Sequence, residues 1–204
     1  GGGFFVNGGS DVLFQNGATL AVHKNVATIN DGGGMFLQNE GTTLTATGTS
    51  TRVIVDSNTA GEDGGGLLIL DNSDVLVASG AAFAINNNTA TSNTGGGMYI
   101  GSEGSTFTAV GTNTRMTVHG NTAEQRGGGL IIVDGADVLV DSGAVLDVQN
   151  NMATSNHGGG VYIEDEGSTI TATGNNTRMT IHGNTAEQRG GGLLMFEGSN
   201  ILVD

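Results

Sequence analysis

Gly120–Leu130 reads GNTAEQRGGGL, and Gly183–Leu193 reads the same. Both stretches contain a Gly-Gly-Gly triplet, and five more triplets begin at Gly1, Gly32, Gly64, Gly95 and Gly158. The intervals between successive triplets alternate, that from Gly1 to Gly32 being one position shorter than that from Gly32 to Gly64. The unit of repetition is therefore a double module, from one triplet to the next but one, made of two related halves. Three apolar residues follow each triplet, as in Leu67-Leu68-Ile69 and Met98-Tyr99-Ile100. A polar turn, a short alternating run, a glycine and a third run come next. The third run ends in apolar-x-x-Asn, as in Val118 to Asn121. Short runs with alternating apolar residues, bounded by Gly, Asn and Asp, are a strand signature, and no sustained helical period competes with it.

One such repeat cannot bury a face alone, but stacked repeats can. The expected fold is all-β: a right-handed parallel β-helix (β-solenoid) with about 31–32 residues and three strands per coil. Right-handedness follows from the general rule for parallel crossovers. At about 4.8 Å per coil the rod would be about 30 Å long. Residues 1–204 form one solenoid segment, with double modules 1–63, 64–126 and 127–189 and a partial copy at 190–204. The chain opens on a triplet and stops within a coil, without caps, so a longer array is expected.

Three columns are expected inside: Leu13, Leu44, Leu76, Phe107, Leu139, Ile170 and Leu202; Val22, Val55, Ile85, Val118, Val148 and Ile181; and Ala27, Ala60, Ala90, Ala123, Ala153 and Ala186. Asn25, Asn58, Asn88, Asn121, Asn151 and Asn184 are expected to form an asparagine ladder at a corner, each amide bonding the next coil. Alternation then turns Phe5, Phe36, Leu68, Tyr99, Ile131, Tyr162 and Leu194 outward. Such an apolar stripe reads as an interface for lateral assembly of copies into a fibre or sheath.

Glycine accounts for 38 of the 204 residues, while Pro, Cys and Trp are absent. A chain without proline is not collagen, and one without cysteine has no disulfide, thiol nucleophile or thiolate metal site. With Lys+Arg 6 against Asp+Glu 20 the formal charge is −14, which argues against a nucleic-acid partner. No apolar run reaches the roughly 20 residues of a spanning helix, so no membrane-spanning segment is expected. The opening Gly1 to Phe5 carries no charged leader region.

The pairing of apolar-x-x-Asn with Gly-Gly-Gly-apolar resembles the Phe-x-x-Asn and Gly-Gly-Ala-Ile repeats of the chlamydial polymorphic membrane proteins, which are autotransporter passengers. Here Val or Ile stands for the Phe, and Gly for the Ala. The resemblance implies an extracellular or cell-surface protein acting in adhesion or assembly, with itself and with host or surface glycans as partners.

Other chemistry has weaker signals. Thr43/Thr45, Thr106/Thr108 and Thr169/Thr171, alternating with Val12/Phe14, Val75/Val77, Val138/Val140 and Ile201/Val203, are expected to face outward, and Thr-x-Thr arrays suggest ice binding. Arg52, Arg115 and Arg178 recur once per double module with His119 and His182 nearby, and Arg126 and Arg189 recur beside Glu124 and Glu187. A polysaccharide-cleaving site would have to break the repeat, whereas these charges follow it. Lys24, Asp147 and His157 are singular but scattered along the chain. Calcium is the one cofactor suggested, by Glu62-Asp63, Asp134/Asp137 and Glu164-Asp165-Glu166. The calcium-binding Gly-Gly-x-Gly-x-Asp nonapeptide is absent, and no cofactor is expected. The expected function is therefore a non-catalytic structural repeat protein of a filament, sheath or adhesin, with a carbohydrate-binding or carbohydrate-cleaving β-helix as the alternative and ice binding as a second.

Overall fold

Twenty-six short strands and no helix make up the computed structural model, which describes all residues from Gly1 to Asp204. The strands belong to four parallel sheets in which each coil pairs with the coils before and after it. The chain is a parallel β-solenoid of six turns. One coil runs through Met98–Ile100, Thr106–Val110, Arg115–His119 and Thr122–Ala123. The expected three strands per coil thus become four, the last a very short strand just after the asparagine. That strand is too short to show alternation, so the sequence pattern does not reveal it.

A single cluster of 33 buried side chains runs along the axis, with Phe83 and Phe107 meeting edge to face at 5.4 Å. The Val22 and Ala27 columns line the interior as expected. The second-strand column does so only in alternate coils: Leu44, Phe107 and Ile170 are buried as expected, but Leu13, Leu76, Leu139 and Leu202 face outward. Val12, Leu44, Val75, Phe107, Val138, Ile170 and Ile201 share its inward register, whereas Leu13 and Leu202 are each 56% exposed. The inward residue stands eleven positions after the first triplet glycine in the coils beginning at Gly1, Gly64, Gly127 and Gly190, and twelve in the others. A fixed offset of twelve therefore slips by one residue in alternate coils and reverses their faces.

The corners explain the alternation. In the shorter first turn two consecutive residues have positive φ, as at Asp71 and Asn72; in the longer turn they are separated by one residue, as at Ser102 and Gly104. The second turn repeats the device, with Ser79-Gly80 against Gly111 and Asn113. The segment from asparagine to triplet compensates in part, taking seven steps from Asn88 to Gly95 and six from Asn121 to Gly127.

The asparagine ladder is present as expected. The Asn121 side chain donates to Ile85 O at 3.0 Å and Asn151 Oδ1 at 2.9 Å, and accepts from Asn88 N at 2.9 Å and Asn88 Nδ2 at 3.0 Å. All its polar capacity is used in a fully buried place. The triplet lies against this ladder. A Cβ on Gly97 would come within 2.8 Å of Asn121 Nδ2, and one on Gly96 would collide with the Thr122 backbone.

Asn121→Ala should cost about 3 kcal/mol, because it leaves several buried partners unbonded. Asn25→Ala, at a half-buried rung with fewer bonds, should cost about 1 kcal/mol. Urea denaturation followed by circular dichroism measures both; equal losses would contradict the ladder's energetic role.

Candidate functional site

The predicted apolar stripe exists as a register column, but much of it is not surface. Phe5, Phe36, Leu68, Tyr99, Ile131, Tyr162 and Leu194 are successive partners in the first sheet. Phe5 is 51% exposed, but Leu68, Ile131 and Tyr162 are at most 3% exposed. The turns on either side fold over the column. Ile131, Val133 and Tyr162 form a second small core, with Tyr99, Leu194 and Phe196 packed against it. The Arg126 guanidinium lies 5.2 Å from the Tyr162 ring centroid and bonds Glu164 at 2.8 Å. The stripe is therefore largely an internal seam, and the reading of the whole column as a docking face is corrected.

Where the cover is incomplete, a depression of about 260 Å³ remains, lined by Asp63, Asn93, Thr94, Tyr99, Arg126, Ile131, Val133, Asp134, Glu164 and Asp165. Asp63 Oδ1 accepts from Thr94 N at 2.9 Å and Thr94 Oγ1 at 2.7 Å, and Asn93 Nδ2 donates to Asp63 Oδ2 at 3.1 Å. Burial raises the Asp63 carboxyl above its ordinary value, the Thr94 bonds oppose this, and Asp31 and Glu62 reinforce it. Asp134 is raised by burial and then by Asp165 and Glu164. The Tyr99 phenol is pushed up by burial and by the carboxylates of Asp63, Asp134, Asp31 and Asp165. Burial pushes Tyr162 up to about 12, against the pull of Arg126.

This place was missed because it departs from the period. The residues just before the triplets are Asp31, Thr94 and His157 in one coil type and Asp63, Arg126 and Arg189 in the other, and only the two arginines repeat with the double module. Asp63, Asp134, Glu164 and Asp165, named in the sequence as calcium candidates, all line the depression, but no group of three or more His, Asp or Glu converges to hold a metal ion. The other singular residues lie apart. Asp147 is on the third sheet and accepts from Thr180 Oγ1 at 2.9 Å, with His182 Nε2 at 3.4 Å; His157 sits by Phe196; Lys24 takes a positive φ at a corner.

The outward face of the second sheet is regular, and that of the third carries one regular column, of arginines. On the second, Asp11, Asp74 and Asp137 alternate with Thr43, Thr106 and Thr169 at the first strand position. At the third position Leu13, Leu76, Leu139 and Leu202 alternate with Thr45, Thr108 and Thr171. Thr43 Oγ1 donates to Asp11 at 2.6 Å, Thr106 Oγ1 to Asp74 at 2.5 Å, and Thr169 repeats the bond to Asp137. Shallow grooves centre on Asp74–Leu76, about 480 Å³, and on Asp137–Leu139, about 230 Å³. The Val12/Phe14 type pairs expected on this face point inward, as buried Val75, Val77, Val138 and Val140 show. On the third sheet Arg52, Arg115 and Arg178 are exposed and make no ion pair within the chain. Comparison with protein-family models, curated proteins and solved structures gave no match.

The covered seam makes Tyr162 a structural residue. Tyr162→Ala should destabilise by about 3 kcal/mol, the range for emptying a buried aromatic site. Thr45→Ala on the second sheet's outer face should change stability by less than about 0.5 kcal/mol. Thermal melts compare the two, and an unaffected Tyr162→Ala would contradict the cover. Because Asp63 and Asp134 hold a proton more tightly when folded, their contribution stabilises below the ordinary carboxylate value of 3.8 and is lost as pH climbs through their raised values. Melting temperature should therefore rise on acidification from neutral pH, and Asp134→Asn should flatten that rise.

Proposed function

We propose that this chain is a non-catalytic structural repeat segment, displayed outside the cell, that builds or decorates a filament, sheath or adhesin by association with copies of itself. The observation that carries this reading is the periodicity of its open faces: Asp11, Asp74 and Asp137, and likewise Arg52, Arg115 and Arg178, recur once per double module on two different sheets. Catalysis needs a constellation once, whereas assembly benefits from a contact repeated along a rod. The extracellular placement rests on the motif resemblance to surface β-helix repeats. The Thr pairs are interrupted in alternate coils by Asp and Leu, so ice binding loses the continuous array it needs.

A carbohydrate-binding role is the second reading, favoured by the grooves of the second sheet. Threonine hydroxyls, a carboxylate and a leucine line each, once per double module. Electron micrographs of purified protein at low salt should show laterally associated or filamentous material. Dispersed single rods at every concentration, or release of fragments from a polysaccharide panel, would overturn the assembly reading. Titration with neutral oligosaccharides tests the second.

A further inference from the structure

We propose that neighbouring copies lie antiparallel, the second sheet of one against the third sheet of the next, with the aspartate column of the first facing the arginine column of the second. This rests on the self-association reading above and names its interface. Asp11, Asp74 and Asp137 are each the first residue of their strands, and so are Arg52, Arg115 and Arg178. Two rods of the same winding that point the same way present facing strands running in opposite directions. When the rods are antiparallel, the facing strands run the same way, and first residues meet first residues. Both columns have a two-coil spacing of about 9.6 Å. One placement therefore brings Asp11 opposite Arg178, Asp74 opposite Arg115, and Asp137 opposite Arg52.

The chemistry of the two faces agrees. Each aspartate spends Oδ1 on the threonine of the next coil, leaving Oδ2 without a bond inside the chain. The three arginines have no carboxylate partner of their own. The carboxylates that share the arginine face are occupied: Asp56 accepts from Ser57 and Asn87, and Asp147 from Thr180 with His182 beside it. Asp141, at the last position of its strand on the aspartate face, accepts from Ser142 and Thr173. Two strand positions from each aspartate stands a leucine, and the groove between them suits an arginine stem lying on the leucine with its guanidinium at the carboxylate. The contact is heterologous, because it joins two different faces, so it does not close into a dimer but continues as a row. Exposed ion pairs contribute little singly and are screened by salt, so the rows are weak and dissolve at high ionic strength.

The test is a charge swap. One variant carries Arg52→Glu, Arg115→Glu and Arg178→Glu; the other carries Asp11→Lys, Asp74→Lys and Asp137→Lys. Circular dichroism checks that each keeps its strands, and sedimentation velocity at low salt reads association. Wild-type protein is expected to associate at low salt and to return to 20.4 kDa rods in about 1 M salt, where the Debye length is about 3 Å. Each variant alone should stay monomeric, while the equimolar mixture should assemble, since every contact in an alternating row is then complementary. If the lysine variant does not fold, the glutamate variant alone keeps the test: its intact aspartate face should bind wild-type ends and shorten wild-type rows. Wild-type association with both variants associating equally, or a mixture that stays monomeric, overturns this interface and leaves self-association standing. A wild type that is monomeric at low salt at every concentration overturns both.

Discussion

The corner where asparagine meets the glycine triplet is the constraint on which the rest of the structure depends. Each interior asparagine side chain ties three coils together: Asn88, for example, donates to Val55 O below and Asn121 Oδ1 above, and accepts from Asn58 N and Nδ2. These bonds are made away from water, so none competes with solvent and none can be left out cheaply. The amide occupies the space that a side chain at the third triplet position would need, at Gly66 as at Gly97. The middle glycine lies against the short fourth strand with no room for a Cβ, and the first takes a positive φ, 62° at Gly64. Three glycines in a row are thus three separate steric demands. Their recurrence keeps every coil the same width at this corner and lets the four sheets stay in register.

That corner is also why the fold could be read from the sequence. A triplet and an asparagine have few uses together, and their rhythm set the coil length, the parallel stacking and the ladder. The second strand was less legible. In Asp11-Val12-Leu13-Phe14 both faces carry apolar residues, so hydrophobicity does not say which one points inward. The answer lies in the preceding turn, whose two left-handed residues are adjacent in one coil and separated in the next. A one-residue difference there decides the parity of a whole strand.

The first sheet failed for another reason. Alternation turned Ile131 and Tyr162 outward, and outward they are, yet the turns flanking the sheet close over them. Whether an outward residue is exposed depends on what its neighbours in space do, and those are Arg126, Val133, Glu164 and Phe196, residues that do not share one column with it. The depression at Tyr99 was illegible for the same reason: its walls come from turns of several coils, and Asp63, Thr94, Glu164 and Asp165 among them depart from the rhythm of the double module. Strand columns are a property of register; lids and depressions are a property of turns.

The alternation of coil types has a physical use on the outside that it lacks in the core. Inside, both coil types present similar apolar columns, so the core by itself would accept identical coils. Outside, identical coils would stack aspartate on aspartate and arginine on arginine about 4.8 Å apart, and like charges directly opposite on paired strands destabilise the sheet. Alternating the coils inserts Thr43 and Thr106 between the aspartates, and Ala82 and Val145 between the arginines. The like charges are then about 9.6 Å apart, close to one Debye length at about 0.1 M salt, where their repulsion is largely screened. The threonines turn what would be a repelling neighbour into a hydrogen-bond donor for each carboxylate. A double module is therefore the shortest repeat that lets this rod carry a continuous row of one charge on one face and the opposite charge on another without straining the sheets that hold them.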